Sequence, residues 1–378
     1  MFSAAGWPGS GFCALRIALN FATARGAGSS RVAKGILGGL QSLRAPHVYL
    51  VFVPEQWPAS PMLDGRFCVH KSRSGVFAKW AHESIRLPLE MRQGGFDKLF
   101  SGQDTGPPWP LVPELLLVQQ AYLAYSPAEW GFTVGGRFAL RMQLMARYFQ
   151  MGLPRVRLFT VQTEDMRTHL VNRWQIDPAR IHVVPSSADF VVRRAPVPHA
   201  TPPYLIYVSA AAPHKNYLVL AEMLAILRGE FPELKLKLTT REEEVPEFVA
   251  RAKALGVHSQ VEYLGIMKRE ALERELAEAA AAVIPSKLES FGLTYYEALA
   301  LGVPVVAADL GFAREACGEA GLYAHPDAGE DFAAGVRRLI SSAETRADYV
   351  QRSLKRFDEV NVSWSEIASR YLALIERL

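Results

Sequence analysis

An α/β protein of two doubly wound domains is the fold class this sequence predicts, on three observations. Strand-like apolar runs alternate with helix-like ones almost throughout, the pattern of parallel sheets joined by crossover helices. The 378 residues exceed what one hydrophobic core usually supports. Finally, the stretch RRAPVPHATPP (193–203) carries four prolines, no regular period and few large apolar residues, so it reads as a linker. The first domain is expected over 1–192 and the second over 204–360.

In chain order, RIALNFA opens as a strand, the loop TARGAGSS follows, and RVAKGILGGLQSL reads as a helix capped by Ser29 or Ser30. HVYLVFV is the next strand; FDKLFSG, LLLVQQAY, VRLFTVQT and IHVVPS look like later ones. Thr163 can cap the helix EDMRTHLVNRWQI. After the linker the rhythm restarts with YLIYVSA and continues through NYLVLAEMLAIL, LKLKLTT, PEFVARAKALGV, VEYLG and REALERELAEA.

Composition narrows the class. Hydrophobic residues at 49% and charged residues at 21% describe an ordinary soluble protein. Cys13, Cys68 and Cys317 lie far apart with no paired-cysteine spacing, so a zinc site is not expected and a reducing compartment is. With no long apolar run and no basic-then-apolar start, a cytoplasmic protein is expected. Residues 1–200 hold 22 Lys+Arg and 12 Asp+Glu, a balance of +10; residues 201–378 hold 20 and 26, a balance of −6. The first half is therefore expected to meet an anionic partner. Without an aromatic-interleaved basic motif, nucleic acid is not that partner; an acidic membrane face or a lipid-diphosphate sugar fits better.

The chemistry concentrates in PSKLESFGLTYYEALALGVPVVA (285–307), which reads as loop, short helix and strand after the strand pattern AAAAVIPS. In parallel sheets ligands bind at the carboxyl ends of strands, where this loop falls. The backbone N–H groups of Phe291, Gly292 and Leu293 would stand unpaired at a helix N-terminus and suit a diphosphate, and Gly292 offers no side chain to hold a ligand off. Glu289 and Glu297 bracket that site; beside an anion their carboxylates suit sugar hydroxyls. Taken alone, Glu297 also reads as a first-turn glutamate favoured by the helix dipole, and Glu289 as a solvated loop residue.

Taken together the segment resembles the signature of the retaining family 4 glycosyltransferases of GT-B fold, in which E-S/G-F-G-L is followed by E-A and G-x-P-V-V. The resemblance continues through ADLGFAREACGEAGLYAHP (308–326), YVSAAAPHKN (207–216) and WSEIASRYLALI (364–375). It implies two Rossmann-like domains facing a central cleft, with a last helix over 361–378 crossing back onto the first. It implies a nucleoside diphosphate sugar donor and a saccharide or lipid-diphosphate-linked saccharide acceptor, in cell-surface polysaccharide or glycolipid assembly of bacterial type.

Residue by residue, the resemblance puts Lys215 on the diphosphate, Glu297 on the ribose and Glu289 on the transferred sugar, with Ser290 to Leu293 supporting phosphate and sugar. Glu289 and Lys215 are the candidate catalytic pair. Gly28 is the candidate for close backbone approach in the first domain, and Gln119 and Gln120 occupy the place where many relatives carry a histidine. Many relatives also carry an arginine where Ala210 stands, which removes one expected cation. No Asp-x-Asp motif is present, so no metal or other cofactor is expected. As a loop lysine, Lys215 should contribute little to folding. The competing readings are a catalytically silent sugar-nucleotide-binding protein and a GT-B sugar-nucleotide epimerase. Lastly, GRFALRMQLMARYFQMGLPRVR (136–157) mixes arginines and apolar residues at helical spacing. It reads as a crossover helix packed on the sheet, or as a basic amphipathic helix on an anionic membrane.

Overall fold

The computed structural model describes residues 15–57, 63–73, 75–188 and 198–378. Cys13 and residues 193–197 of the expected linker lie outside the described residues. The chain forms two compact units, one of residues 1–127, 134–187 and 362–378, the other of 128–133 and 188–361. Two boundaries differ from the sequence reading: the first unit ends near Ser187, and the short stretch Ala128–Thr133 belongs with the second unit.

The first unit contains β1 (Arg16–Asn20), α1 (Ala27–Leu43), β2 (Val48–Pro54), β3 (Phe67–Ser72), α2 (Val76–Ala81), α3 (Leu87–Gly94), β4 (Lys98–Ser101), β5 (Glu114–Leu117), α4 (Ala121–Ala124), α5 (Gly136–Gly152), β6 (Leu158–Val161), α6 (Glu164–Trp174) and β7 (Ile181–Val183). Its seven strands lie in the order β3-β2-β1-β4-β5-β6-β7, with every pairing parallel. Strands such as Val48–Pro54 are buried almost end to end, as a sheet covered on both faces requires. The expected strand LLLVQQAY stops at Leu117, and its remainder turns into the short α4.

Two helix starts show how local chemistry decides. Thr163 caps α6 as expected, its side chain accepting from the Met166 N–H at 3.1 Å. The α1 expectation fails: the helix begins at Ala27 after Gly26, with no side-chain cap, so Ser29 and Ser30 lie inside its first turn. The glycine-rich loop is itself the helix start.

The second unit contains β8 (Tyr204–Tyr207), α7 (Leu218–Leu227), β9 (Lys235–Leu238), α8 (Pro246–Ala254), β10 (Val261–Tyr263), α9 (Arg269–Ala277), β11 (Ala281–Ile284), α10 (Leu293–Ala300), β12 (Val305–Ala308), α11 (Gly311–Cys317), β13 (Gly321–Ala324), α12 (Gly329–Ile340) and α13 (Ala343–Val360). Its strands run β10-β9-β8-β11-β12-β13, again all parallel. The strand order reverses between β8 and β11, and a doubly wound sheet opens a ligand crevice at the carboxyl ends of such a pair.

The last helix, α14 (Trp364–Glu376), belongs to the first unit and packs along α1. Close approach is possible because α1 offers glycines: a Cβ on Gly35 would fall 2.1 Å from the Trp364 ring, and one on Gly39 would fall 2.3 Å from the Trp364 carbonyl oxygen. Ile367, Tyr371 and Ile375 enter the same core as Ile17, Leu19 and Phe100. Fully burying each such aliphatic side chain stabilises by roughly 1.5–3 kcal/mol.

Candidate functional site

The loops after β8 and β11 build the site of the second unit. Tyr207, 1% exposed at the end of β8, donates its hydroxyl to the Lys215 carbonyl at 3.2 Å and shares a 2.7 Å hydrogen bond with Ser286 Oγ. The Lys287 N–H donates to the His214 carbonyl at 2.8 Å, and Thr294 Oγ1 donates to the Val208 carbonyl at 3.1 Å. Two loops more than 70 residues apart in sequence are thus bonded at several points.

Lys215 ends a single 3-10 turn, Pro213–Lys215, rather than starting α7. Asn216 follows in the left-handed conformation (φ 51°), which asparagine tolerates better than most residues, and its side chain donates to the Pro326 carbonyl at 2.7 Å. These contacts aim the lysine. Its Nζ meets Glu289 Oε1 at 2.5 Å, with the two side chains only 16% and 15% exposed. Burial pushes the Glu289 carboxyl upward, but the Lys215 ammonium and a Ser286 hydrogen bond outweigh it and hold the group below the ordinary carboxylate range. Burial, aided by Lys215, lowers the His214 imidazole to about 4, so His214 is neutral near pH 7.

The structure brings the two candidate catalytic residues together as an ion pair. Lys215 spends its charge on Glu289, and Glu289 is a mostly buried carboxylate rather than a solvated loop residue. Its partner is also why Lys215 cannot be indifferent to folding. Ala210 is exposed and brings no charge, as the sequence says.

The α10 entry has a different cause from the one expected. Gly292 caps the helix at φ 70°, and a Cβ there would meet the Tyr295 ring at 2.6 Å. Backbone conformation and Tyr295 explain the glycine before any ligand does. The Phe291 side chain is 3% exposed and stacks on Tyr296 at 4.2 Å, so only its backbone can serve a ligand. Among the described residues, the N–H groups of Phe291, Gly292 and Leu293 donate to no backbone carbonyl, and they precede a two-turn helix. Ser290 and Leu293 are half-buried beside them. Glu297, 9% exposed, is the fifth residue of α10, so the first-turn dipole reading does not apply to it.

The first unit's sheet has its own reversal between β1 and β4. Gly28 is the second residue of α1, with no protein atom within 4 Å of where its Cβ would be. Gln119 and Gln120 lie just beyond β5, where their backbone N–H groups donate to Asp104 Oδ1 at 2.6 and 2.7 Å. Gln119 also spends its side chain on the Gly102 carbonyl at 3.1 Å. Sequence reasoning missed the polar groups at this reversal. Asn20 closes β1 and meets His82 Nε2 at 3.2 Å; Asn20 Nδ2 and Gln103 Nε2 are buried with no partner among the described residues. The signal available was Asn20 at the end of an otherwise apolar strand. Below it, Glu114 is wholly buried on β5 and accepts from Ser101 Oγ at 2.5 Å. Burial raises its carboxyl to about 8, against the Ser101 bond and with help from Glu83.

Among the described residues, no three His, Cys, Asp or Glu side chains gather closely enough to hold a metal ion. No described helix is long and apolar enough to cross a membrane. Cys68 and Cys317 are free thiols, and burial raises the Cys317 thiol to about 12.

Two parallel sheets of seven and six strands with helices match the GT-B fold, and in the second unit an ion pair and amides without a backbone acceptor among the described residues lie at the strand-order reversal. Residues 191–356 match the family model described as glycosyl transferases group 1. The chain is 28% identical over 211 residues to an MMP alpha-(1->4)-mannosyltransferase of Mycolicibacterium hassiacum, covering 55% of this chain and 51% of that protein. It is 30% identical over 228 residues to a D-inositol 3-phosphate glycosyltransferase of Rhodococcus erythropolis, covering 56% and 51%. The chain spans about half the length of the curated relatives it matches. In fold it resembles sucrose-phosphate synthase from Thermosynechococcus elongatus (TM-score 0.75, 15% identity, 96% and 98% of the two chains). It also resembles Anabaena HepE, solved with UDP-glucose (TM-score 0.71, 14% identity, 96% and 100%).

Proposed function

We propose that the protein is a glycosyltransferase that moves a hexose from a nucleoside diphosphate sugar to a saccharide or lipid-linked saccharide acceptor, retaining anomeric configuration. The observation that carries the reading is the meeting of Lys215 and Glu289 at the β8–β11 reversal, beside the open amides of residues 291–293. The group 1 family match over the same unit supports it.

In this reading the donor diphosphate lies against those amides and draws Lys215 Nζ toward it. Glu289, released from the lysine, accepts from hydroxyls of the transferred sugar, and Glu297 accepts from the ribose. As the sugar–phosphate bond breaks, negative charge grows on the departing diphosphate, where the amide dipoles and the recruited ammonium would meet it. That arrangement favours a front-face substitution in which the leaving phosphate takes the acceptor's proton. His214, neutral and buried, is left to packing. Because charge is met by Lys215 and amides, transfer should need no divalent ion.

The test is turnover of UDP-, GDP- and dTDP-hexoses, with and without saccharide acceptors, in excess EDTA. Sugar release or transfer from at least one donor, undiminished by EDTA, is the expected result. Loss on chelation with recovery on adding magnesium or manganese would overturn the metal-independent part. A donor that binds yet never turns over would mark a silent binding protein.

A further inference from the structure

The crossover helix α5 does not turn all its apolar residues inward. Met142 and Phe149 are buried, but Leu140, Leu144 and Met151 are 56%, 55% and 50% exposed. At about 100° per residue these three fall within an arc of roughly 40° on the outer face. Arg147 borders that stripe on one side, and Arg137 and Arg141 border it on the other. The helix holds no Asp or Glu, and among the described residues none of these arginines has a carboxylate partner. Just past the helix, Arg155 donates to the Met151 carbonyl at 3.1 Å and lies 5.9 Å over the ring of Trp109, itself 57% exposed. A leucine stripe between arginine rows, with a tryptophan at one end, has the chemistry of a surface that enters headgroups.

We propose that α5 docks on an anionic bilayer, its leucines and Met151 among the upper acyl chains and its arginines at lipid phosphates. Charge selects this occupant. Two copies of the stripe facing each other would bring unpaired arginines together, whereas anionic headgroups match them and the +10 balance of residues 1–200. The proposal stands apart from the transfer reading, because vesicle binding is measured with no sugar nucleotide present.

The experiment is flotation of the full chain with vesicles of phosphatidylcholine alone or mixed with phosphatidylglycerol, at low and high salt. Wild type should float with the mixed vesicles at low salt and much less at high salt. The pair Leu140→Gln/Leu144→Gln should weaken partitioning about tenfold or more. The triple Arg137→Gln/Arg141→Gln/Arg147→Gln should weaken it on the order of a hundredfold and remove the preference for anionic lipid. All these side chains are exposed, and unchanged melting would show the fold intact. Absence of binding at low salt, or variants that bind like wild type, would overturn the proposal. So would sedimentation showing a wild-type dimer that the leucine pair abolishes while vesicle binding is absent.

Discussion

Truncating Lys215 to alanine perturbs stability and turnover at once, and the structure sets both magnitudes. The lysine is the partner of Glu289 at 2.5 Å, with each side chain about one-sixth exposed. Removing one member of a fully buried pair costs about 3–5 kcal/mol, because the other charge is stranded. Residual exposure brings this to about 2–3 kcal/mol. For a unit of this size that is a fall of roughly 5–10 °C in melting temperature. Because the Glu289 carboxyl is held below its ordinary value, the pair's contribution is full above that ordinary value and disappears as pH falls through the folded one. The gap between wild type and Lys215→Ala should therefore close in acid. Adding Glu289→Gln removes the stranded carboxylate and should restore most of the melting temperature. It should not restore activity, since kcat/KM for the donor is expected to stay down by about a hundredfold or more. Calorimetry of the three variants across pH, with donor turnover beside it, reads both effects. A Lys215→Ala protein that melts with wild type would refute the structural pairing. One that turns over donor within about threefold of wild type would refute the site.

Three further outcomes follow from packing and burial. Gly39→Ala should destabilise the first unit by about 1–3 kcal/mol in urea titration, since its Cβ would meet the Trp364 carbonyl oxygen and Ala368 and lever α14 away. Gly38→Ala, in open space on the same helix, should instead stabilise by up to about 1 kcal/mol. Glu114 keeps its proton in the folded state up to about 8, while the unfolded chain releases it near about 4.3, so stability should decline as pH rises between those values. Glu114→Gln should flatten that decline, and an unchanged slope in the variant would refute it.

Much of the fold was legible because parallel sheets write their buried strands as uninterrupted apolar runs, such as VYLVFVP and AAVI. The edge strand β3, FCVHKS, was not: two of its six residues, Val69 and Lys71, are exposed, and His70 and Lys71 dilute the pattern. The α1 start was misplaced because serines next to glycines look like caps, while the backbone accepted Gly26 and left the serines helical. At the candidate site, the spacing of Glu289, Gly292 and Glu297 pointed to the loop, and the family resemblance of YVSAAAPHKN pointed to Lys215. Their pairing was not legible, because it depends on β8 and β11 lying side by side. Likewise the sequence of α5 shows an amphipathic helix but not which leucines the sheet leaves uncovered.

In the proposed function the β8–β11 reversal holds a nucleoside diphosphate through Lys215 and the amides of residues 291–293. Thermal shift with UDP, GDP and dTDP tests it most directly, because a ligand at a hundred times its dissociation constant stabilises the folded state by about 2.7 kcal/mol. At least one nucleotide should raise the melting temperature of wild type, and the same nucleotide should have little effect on the stability-matched control Lys215→Ala/Glu289→Gln. No shift with any of the three at millimolar concentration, or an equal shift in wild type and that double variant, would contradict it.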